Sequence, residues 1–183
     1  MLIITKREFR SYFDSPLAYV VICLSFLVLG ALFFLVSVGF WQVDRATVSR
    51  LFELAPYGLA FLVVPVITMR LISEEKRSAT LEMLITLPVK DSDVILGKYL
   101  GALGMLLVLV LATAIYPLVM FKWPWNLGPL DTGPVFAGYF GLILFCGAAT
   151  AIGLLLSSLT ESQAMAFYLT VFVVLGLGLT GML

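Results

Sequence analysis

Histidine is absent from this 183-residue chain. Without imidazole there is no His base, no His zinc ligand and no His proton relay. Two cysteines occur, Cys23 and Cys146, each inside an apolar run. Isolated there, they read as small core residues rather than as a disulfide or a metal pair. Charge is scarce: 12% of the residues are Asp, Glu, Lys or Arg, about half of what a soluble domain carries. The formal net charge is zero, so no bulk attraction to nucleic acid or acidic substrates exists. No G-x-x-x-x-G-K-[ST] segment is present to cradle the phosphates of ATP, and internal repeats and low-complexity tracts are missing too. The sequence therefore predicts no catalytic residues, no metal, no cofactor and no nucleic-acid partner.

Apolar sequence is what the chain has in excess. It makes up 62% of the residues, with a mean hydropathy of +1.11. Charged side chains are missing from 15–43, 54–69, 99–121, 132–160 and 162–183. A membrane-spanning helix takes about 20 mostly apolar residues, and four of these runs reach that length. The run at 54–69 reaches it with Leu71 and Ile72, if Arg70 snorkels to the interface. The expected fold is an all-α polytopic membrane helix bundle, one domain over 1–183 with five transmembrane helices. Its spans are 16–41, 54–72, 93–121, 134–156 and 162–183. The first run is too long for a cleavable signal peptide. The near absence of ionisable groups within the spans argues against an ion pathway.

Orientation follows from Lys and Arg. With the N-terminus in the cytoplasm, Lys6, Arg7, Arg10, Arg70, Lys76, Arg77, Lys90 and Lys98 lie inside, against Arg45, Arg50 and Lys122 outside. Cytoplasmic loops carry such an excess. The first 15 residues form an interfacial amphipathic helix. Phe9, Tyr12 and Phe13 share one face, set in the acyl boundary, and Lys6, Arg7 and Arg10 cluster beside it against anionic headgroups. Thr5 and Glu8 have the spacing of a capping box, as do Thr160 and Gln163 before the fifth span. Ser15 and Pro16 supply an N-cap and a first-turn proline for the first span. Pro56 and Pro65 make the second span a candidate for bending. Asp91 caps the third, and Trp123 and Trp125 mark the outer interface. The fourth carries seven small residues between Gly138 and Gly153, which suits it to close packing on protein.

The segment ISEEKRSATLEMLITLPVKDSDVILGK, between the second and third spans, interrupts this pattern. The loop proper is 73–92. Leu81, Leu84 and Ile85 stand at i, i+3 and i+4, one apolar helical face, and Pro88 stops the helix. So short a helix is marginal alone and needs a surface to pack on. It can lie on its own bundle or insert into a groove on a soluble partner. In the second case Glu74, Glu75, Lys76, Arg77 and Glu82 form a charged rim that sets register.

Three stretches, KREFRSYFDSPLAYVV, PVITMRLISEEKRSATLEMLITLPVKDSDVILGKYLG and LSSLTESQ, resemble the ABC-2 type transporter permeases, nearest to gliding-motility-associated GldF-like subunits. The specific part is R-x-x-x-E-E-K-R-x-x-T-L-E-x-L-x-T-x-P at 70–88. The resemblance implies a permease subunit of an exporter in the bacterial cytoplasmic (inner) membrane. Its partners would be a soluble ABC ATPase subunit, a second permease copy or paralogue, and membrane lipid. It places a coupling helix on 80–87 and assigns ATPase docking to Glu74, Glu75, Lys76, Arg77, Thr80, Leu81, Glu82, Leu84, Ile85 and Leu87. Family members have six spans, so a sixth is expected beyond the fifth seen here. A non-transporting membrane scaffold of a motility or secretion machine is the alternative. An intramembrane enzyme is disfavoured by the lack of His and of paired carboxylates in the spans. No residue names the cargo.

Overall fold

A computed structural model describes residues 2–31, 49–77, 91–121 and 132–180, and every regular element among them is helical. Lipid offers no partner to a free N–H or C=O, so an apolar chain of this kind closes its backbone bonds within each segment. The helices are α1 (Leu2–Asp14), α2 (Pro16–Ala31), α3 (Ser49–Gly58), α4 (Val64–Thr68), α5 (Ser73–Arg77), α6 (Asp91–Ala112), α7 (Ile115–Phe121), α8 (Thr132–Leu159) and α9 (Gln163–Thr180), with a π-helical turn at Leu59–Val63 between α3 and α4. The expected all-helical membrane bundle is therefore what forms. Three stretches, Phe52–Arg77, Ser92–Leu118 and Thr132–Leu159, are long and apolar enough to cross a bilayer. The bent pair α1–α2 makes a fourth by the same measure. The second half of the expected first span, 32–41, lies outside the described residues.

Proline explains where these helices break. Pro16 opens α2, and the chain turns by 72° between α1 and α2. At Pro65 a regular helix would need an N–H that proline lacks, and the ring would press on the carbonyl of residue 61. The chain answers with the π turn: the Val64 N–H reaches back five residues to Leu59 O, which widens the helix just before the ring. Pro117 acts in the same way on the third span. Thr113 O takes the N–H of Tyr116 at 3.0 Å, because residue 117 has none to offer, and α6 gives way to α7 at Thr113 and Ala114.

Both proposed capping boxes are corrected. α1 begins at Leu2, so Thr5 stands a turn inside the helix, and the Glu8 carboxylate is engaged elsewhere. Before α9 it is Ser162 whose carbonyl accepts the first helical bond, from Ala166 N at 3.0 Å. Thr160 instead turns its hydroxyl back onto Leu156 O. In each case the helix start sits where the neighbouring segment lets the chain turn, and a side-chain spacing alone does not fix that.

The second span is the centre of the bundle. Leu59, Val63, Val64 and Thr68 are almost fully buried. α8 and α9 pack on one side of it, and α2 covers another. α6 packs against α8, and α1 lies along α6. α8 turns Leu142, Cys146, Ala149, Thr150, Gly153 and Ser157 inward. Its expected small-residue packing is realised at Gly138, which faces Phe52, and at Gly153, which faces Thr68, while Gly141 meets open space. The outer faces carry Phe136, Phe140, Tyr168 and Phe172, all more than 60% exposed. An apolar surface of that kind suits lipid and not water.

Candidate functional site

Gly97, Gly101 and Gly104 lie on one face of α6, at the spacing that lets helix backbones come close. α1 lies on that stripe. A Cβ at Gly97 would stand 2.7 Å from Ile4 Cγ2, and one at Gly101 would stand 2.8 Å from Glu8 Cβ. One at Gly104 would stand 3.1 Å from Phe9 Cδ2. The glycines thus set how near α1 can sit, and that places Glu8 against Lys98. Lys98 is only 3% exposed, and a buried ammonium needs partners. Its Nζ donates to Glu75 Oε1 at 2.7 Å and stands 3.6 Å from Glu8 Oε1. Glu8 also accepts from Arg7 Nη2 at 3.0 Å. One cation therefore joins α1, α5 and α6.

The turn between α4 and α5 is held from two further sides. Arg70 bridges it with a bidentate pair to Glu74, Nε to Oε2 at 2.9 Å and Nη2 to Oε1 at 3.2 Å. Tyr12 on α1 donates to Ile67 O at 3.4 Å. Burial raises the pKa of this phenol above the ordinary tyrosine range, the Glu8 charge adds to that, and Arg70 opposes it. The hydroxyl stays a donor. From α8, Ser157 Oγ accepts the N–H groups of Ile72 and Ser73, both at 3.2 Å, and donates to Met69 O at 3.4 Å. Helix starts leave N–H groups without a partner in the chain's own helix. α8 supplies that partner here, 84 residues further along the chain. Lys76 Nζ donates to Ser158 O beside it.

A cleft of about 440 Å³ opens between α1, α2 and the end of the second span nearest α5, lined by charged, hydroxyl and aliphatic side chains.

Glu74 and Glu75, expected to dock an ATPase, are thus drawn into contacts within the bundle. Lys76 and Arg77 stay exposed, Lys76 with its ammonium on α8. The other residues expected to dock, Thr80, Leu81, Glu82, Leu84, Ile85 and Leu87, lie outside the described residues. On α1, Lys6 and Arg10 are exposed, and Arg10 stands 3.7 Å from Asp14. Arg7 turns toward Glu8. The aromatic face is half-buried. Phe9 rests on Gly104 and stacks 5.0 Å from Phe13, and Tyr12 reaches the second span. These rings pack on protein where lipid was expected, because the glycine stripe offers α1 a helix to lie on. Sequence reasoning missed Glu8, Arg70, Lys98, Ser157 and Ser158 as parts of one cluster. A signal existed for Lys98: a lone ionisable residue inside the Gly97-x-x-x-Gly101-x-x-Gly104 pattern.

Residues 51–183 match the model of a family described as ABC-2 family transporter protein. No curated protein and no solved structure matches.

Proposed function

The chain belongs to the ABC-2 transporter family, and from that premise we propose that it is the permease half of an exporter driven by a separate soluble ATPase. As a member of the family it is a membrane permease subunit of an ABC transporter. The remaining assignments are this reading's own. Residues 80–87 are assigned to ATPase docking, with Glu74 to Arg77 leading into them. A second permease copy or paralogue completes the path, in the bacterial cytoplasmic membrane. A role beside gliding machinery rests on the run at 70–88 alone.

The observation that carries the reading is the anchorage of the segment just before the docking loop. Through Lys98, Arg70 and Ser157 it is tied at once to α1, α6, α8 and the rest of its own span. A push on the loop by a nucleotide-driven partner would reach four helices through directional bonds, as rigid-body coupling requires. A loop serving only to connect two spans has no need of such ties.

Co-purification with the ATPase, followed by ATP turnover in proteoliposomes, tests this. Leu84→Asp places a charge on the apolar docking face, and Glu75→Lys sets a second cation against Lys98. Each should cut ATPase recovery by about tenfold or more, the loss expected on truncating an interface anchor. If both variants keep full recovery and stimulated turnover, the docking assignment is wrong. Docking without any ATP-dependent cargo movement would favour the scaffold.

A further inference from the structure

Three walls of the cleft beside α1 change polarity in the same direction. On the second span the lining runs from Glu75 and Glu74 through Leu71 and Arg70 to Ile67 and Val66. On α6 it runs from Lys98 to Met105, seven residues or about 10 Å of helix. The N-terminal wall passes from Arg7 and Glu8 through Ser11 and Ser15 to Ala18 and Val21. On each wall charged side chains thus come at one end and aliphatic ones at the other, with hydroxyls between them on the N-terminal wall. A soluble polar ligand would leave the aliphatic end unfilled, and an apolar one would bury the charges. An amphiphile fits both ends.

The charged mouth further narrows the choice. It holds three cations, Arg7, Arg70 and Lys98, and three carboxylates, Glu8, Glu74 and Glu75. Their sum is zero, so an anionic headgroup gains no net attraction. A zwitterion can meet both signs. Arg70 spends only Nε and Nη2 on Glu74, and Arg7 only Nη2 on Glu8. A guanidinium carries five N–H donors in a planar fork suited to phosphate, so donors remain on both. The volume of about 440 Å³ lies in the range of small-molecule sites and takes a headgroup with the start of one chain.

We propose that this cleft is a binding site for one zwitterionic phospholipid of the phosphatidylethanolamine type. The phosphate sits against Arg7 and Arg70, the ammonium against the carboxylates, and an acyl chain runs along Val66, Val21 and Met105. The proposal stands independently of the transport reading, since it needs neither ATPase nor cargo.

The test is native mass spectrometry of the delipidated full chain in detergent, titrated with short-chain phosphatidylethanolamine, phosphatidylglycerol and chain-free glycerophosphoethanolamine. One saturable phosphatidylethanolamine site is expected, about tenfold or more tighter than for phosphatidylglycerol, with no binding of the chain-free headgroup. Arg70→Gln and Arg7→Gln should each weaken it about tenfold, the loss of one charge-assisted hydrogen bond. Val66→Trp, which fills the aliphatic end and leaves every charge in place, should abolish it. Should Arg70→Gln fail to fold, Arg7→Gln decides, because the Arg7 side chain is 62% exposed and its loss leaves the packing intact. Equal affinity for both lipids, binding of the chain-free headgroup, or indifference to Arg7→Gln and Val66→Trp would each overturn the site.

Discussion

The end of the bundle around α5 and the bundle's interior satisfy their polar groups in opposite ways. Within the spans, buried hydroxyls fold back onto their own helix. Ser25 donates to Val21 O, Thr68 to Val64 O, Thr150 to Cys146 O and Thr170 to Ala166 O, each four residues earlier. Such bonds satisfy the hydroxyl and join no two helices. At the α5 end the bonds run between segments: Lys98 to Glu75, Tyr12 to Ile67, Ser157 to Ile72 and Ser73. The interior is therefore held mainly by shape, with glycines meeting rings and methyls, and the α5 end by direction. Two tyrosines do cross between helices in the interior, Tyr116 to Phe26 O at 2.8 Å and Tyr99 to Gly147 O at 3.2 Å, so helices held mainly by shape shift past one another with few bonds to break. Helices tied by directional bonds move together.

Substitutions can break this contrast. Lys98→Met should have the largest effect. It strips the shared cation from Glu8 and Glu75, whose side chains are 17% and 19% exposed. Breaking a buried pair costs about 3–5 kcal/mol, and the partial hydration of the carboxylates puts this case near the lower end. Thermal unfolding in detergent reads it, and adding Glu75→Gln should restore part of the loss. An unchanged midpoint would mean that the ion network holds nothing.

Gly153→Val tests the interior by shape alone. Its Cβ would stand 2.7 Å from Thr68 Cβ, and overpacking of this kind costs about 1–3 kcal/mol. Thr68→Gly in the same chain, which removes that Cβ, should relieve the clash. No relief would show that the two helices do not meet there.

The two hydroxyl classes can be set side by side. Ser157→Ala strands the N–H groups of Ile72 and Ser73 and should cost about 1–2 kcal/mol, with faster hydrogen exchange at the start of α5. Thr170→Val removes a bond that stays within one helix and should cost less than about 0.5 kcal/mol, since back-bonding hydroxyls add little to helix stability. Equal losses would erase the distinction.

Tyr12→Phe should be the smallest change at neutral pH. Burial raises the phenol's pKa in the fold above its unfolded value, so the native state holds that proton more tightly. The resulting stability is fully present below the unfolded pKa of about 10 and is lost as pH climbs above it. Tyr12→Phe should flatten the alkaline slope of the unfolding midpoint. A slope equal to that of the parent chain would take Tyr12 out of the packed face.

Much of the fold was legible because hydrophobic runs and their charged ends answer directly to a bilayer. The breaks near Pro16 and Pro65 were readable from missing N–H groups. Pro117 sent the same signal and went unread. The cluster was legible only in pieces. Glu75 entered as a docking residue and Lys98 as one more inside cation, and the distance of 2.7 Å between them belongs to neither local pattern. Ser157 falls just past the expected end of the fourth span, yet it caps a helix whose sequence lies 84 residues away.

The sequence by itself determined that this chain is a bundle of membrane helices, because length, hydropathy and the positions of charge follow from local chemistry. Its match to the ABC-2 transporter family over residues 51–183 is likewise a property of the sequence. Only the tertiary structure decided that α1 lies on a glycine stripe of α6 and that Lys98 is shared by Glu8 and Glu75. It alone revealed a charge-balanced cleft beside them. Those facts depend on how closely backbones distant in sequence approach, and helical periodicity carries no record of that distance.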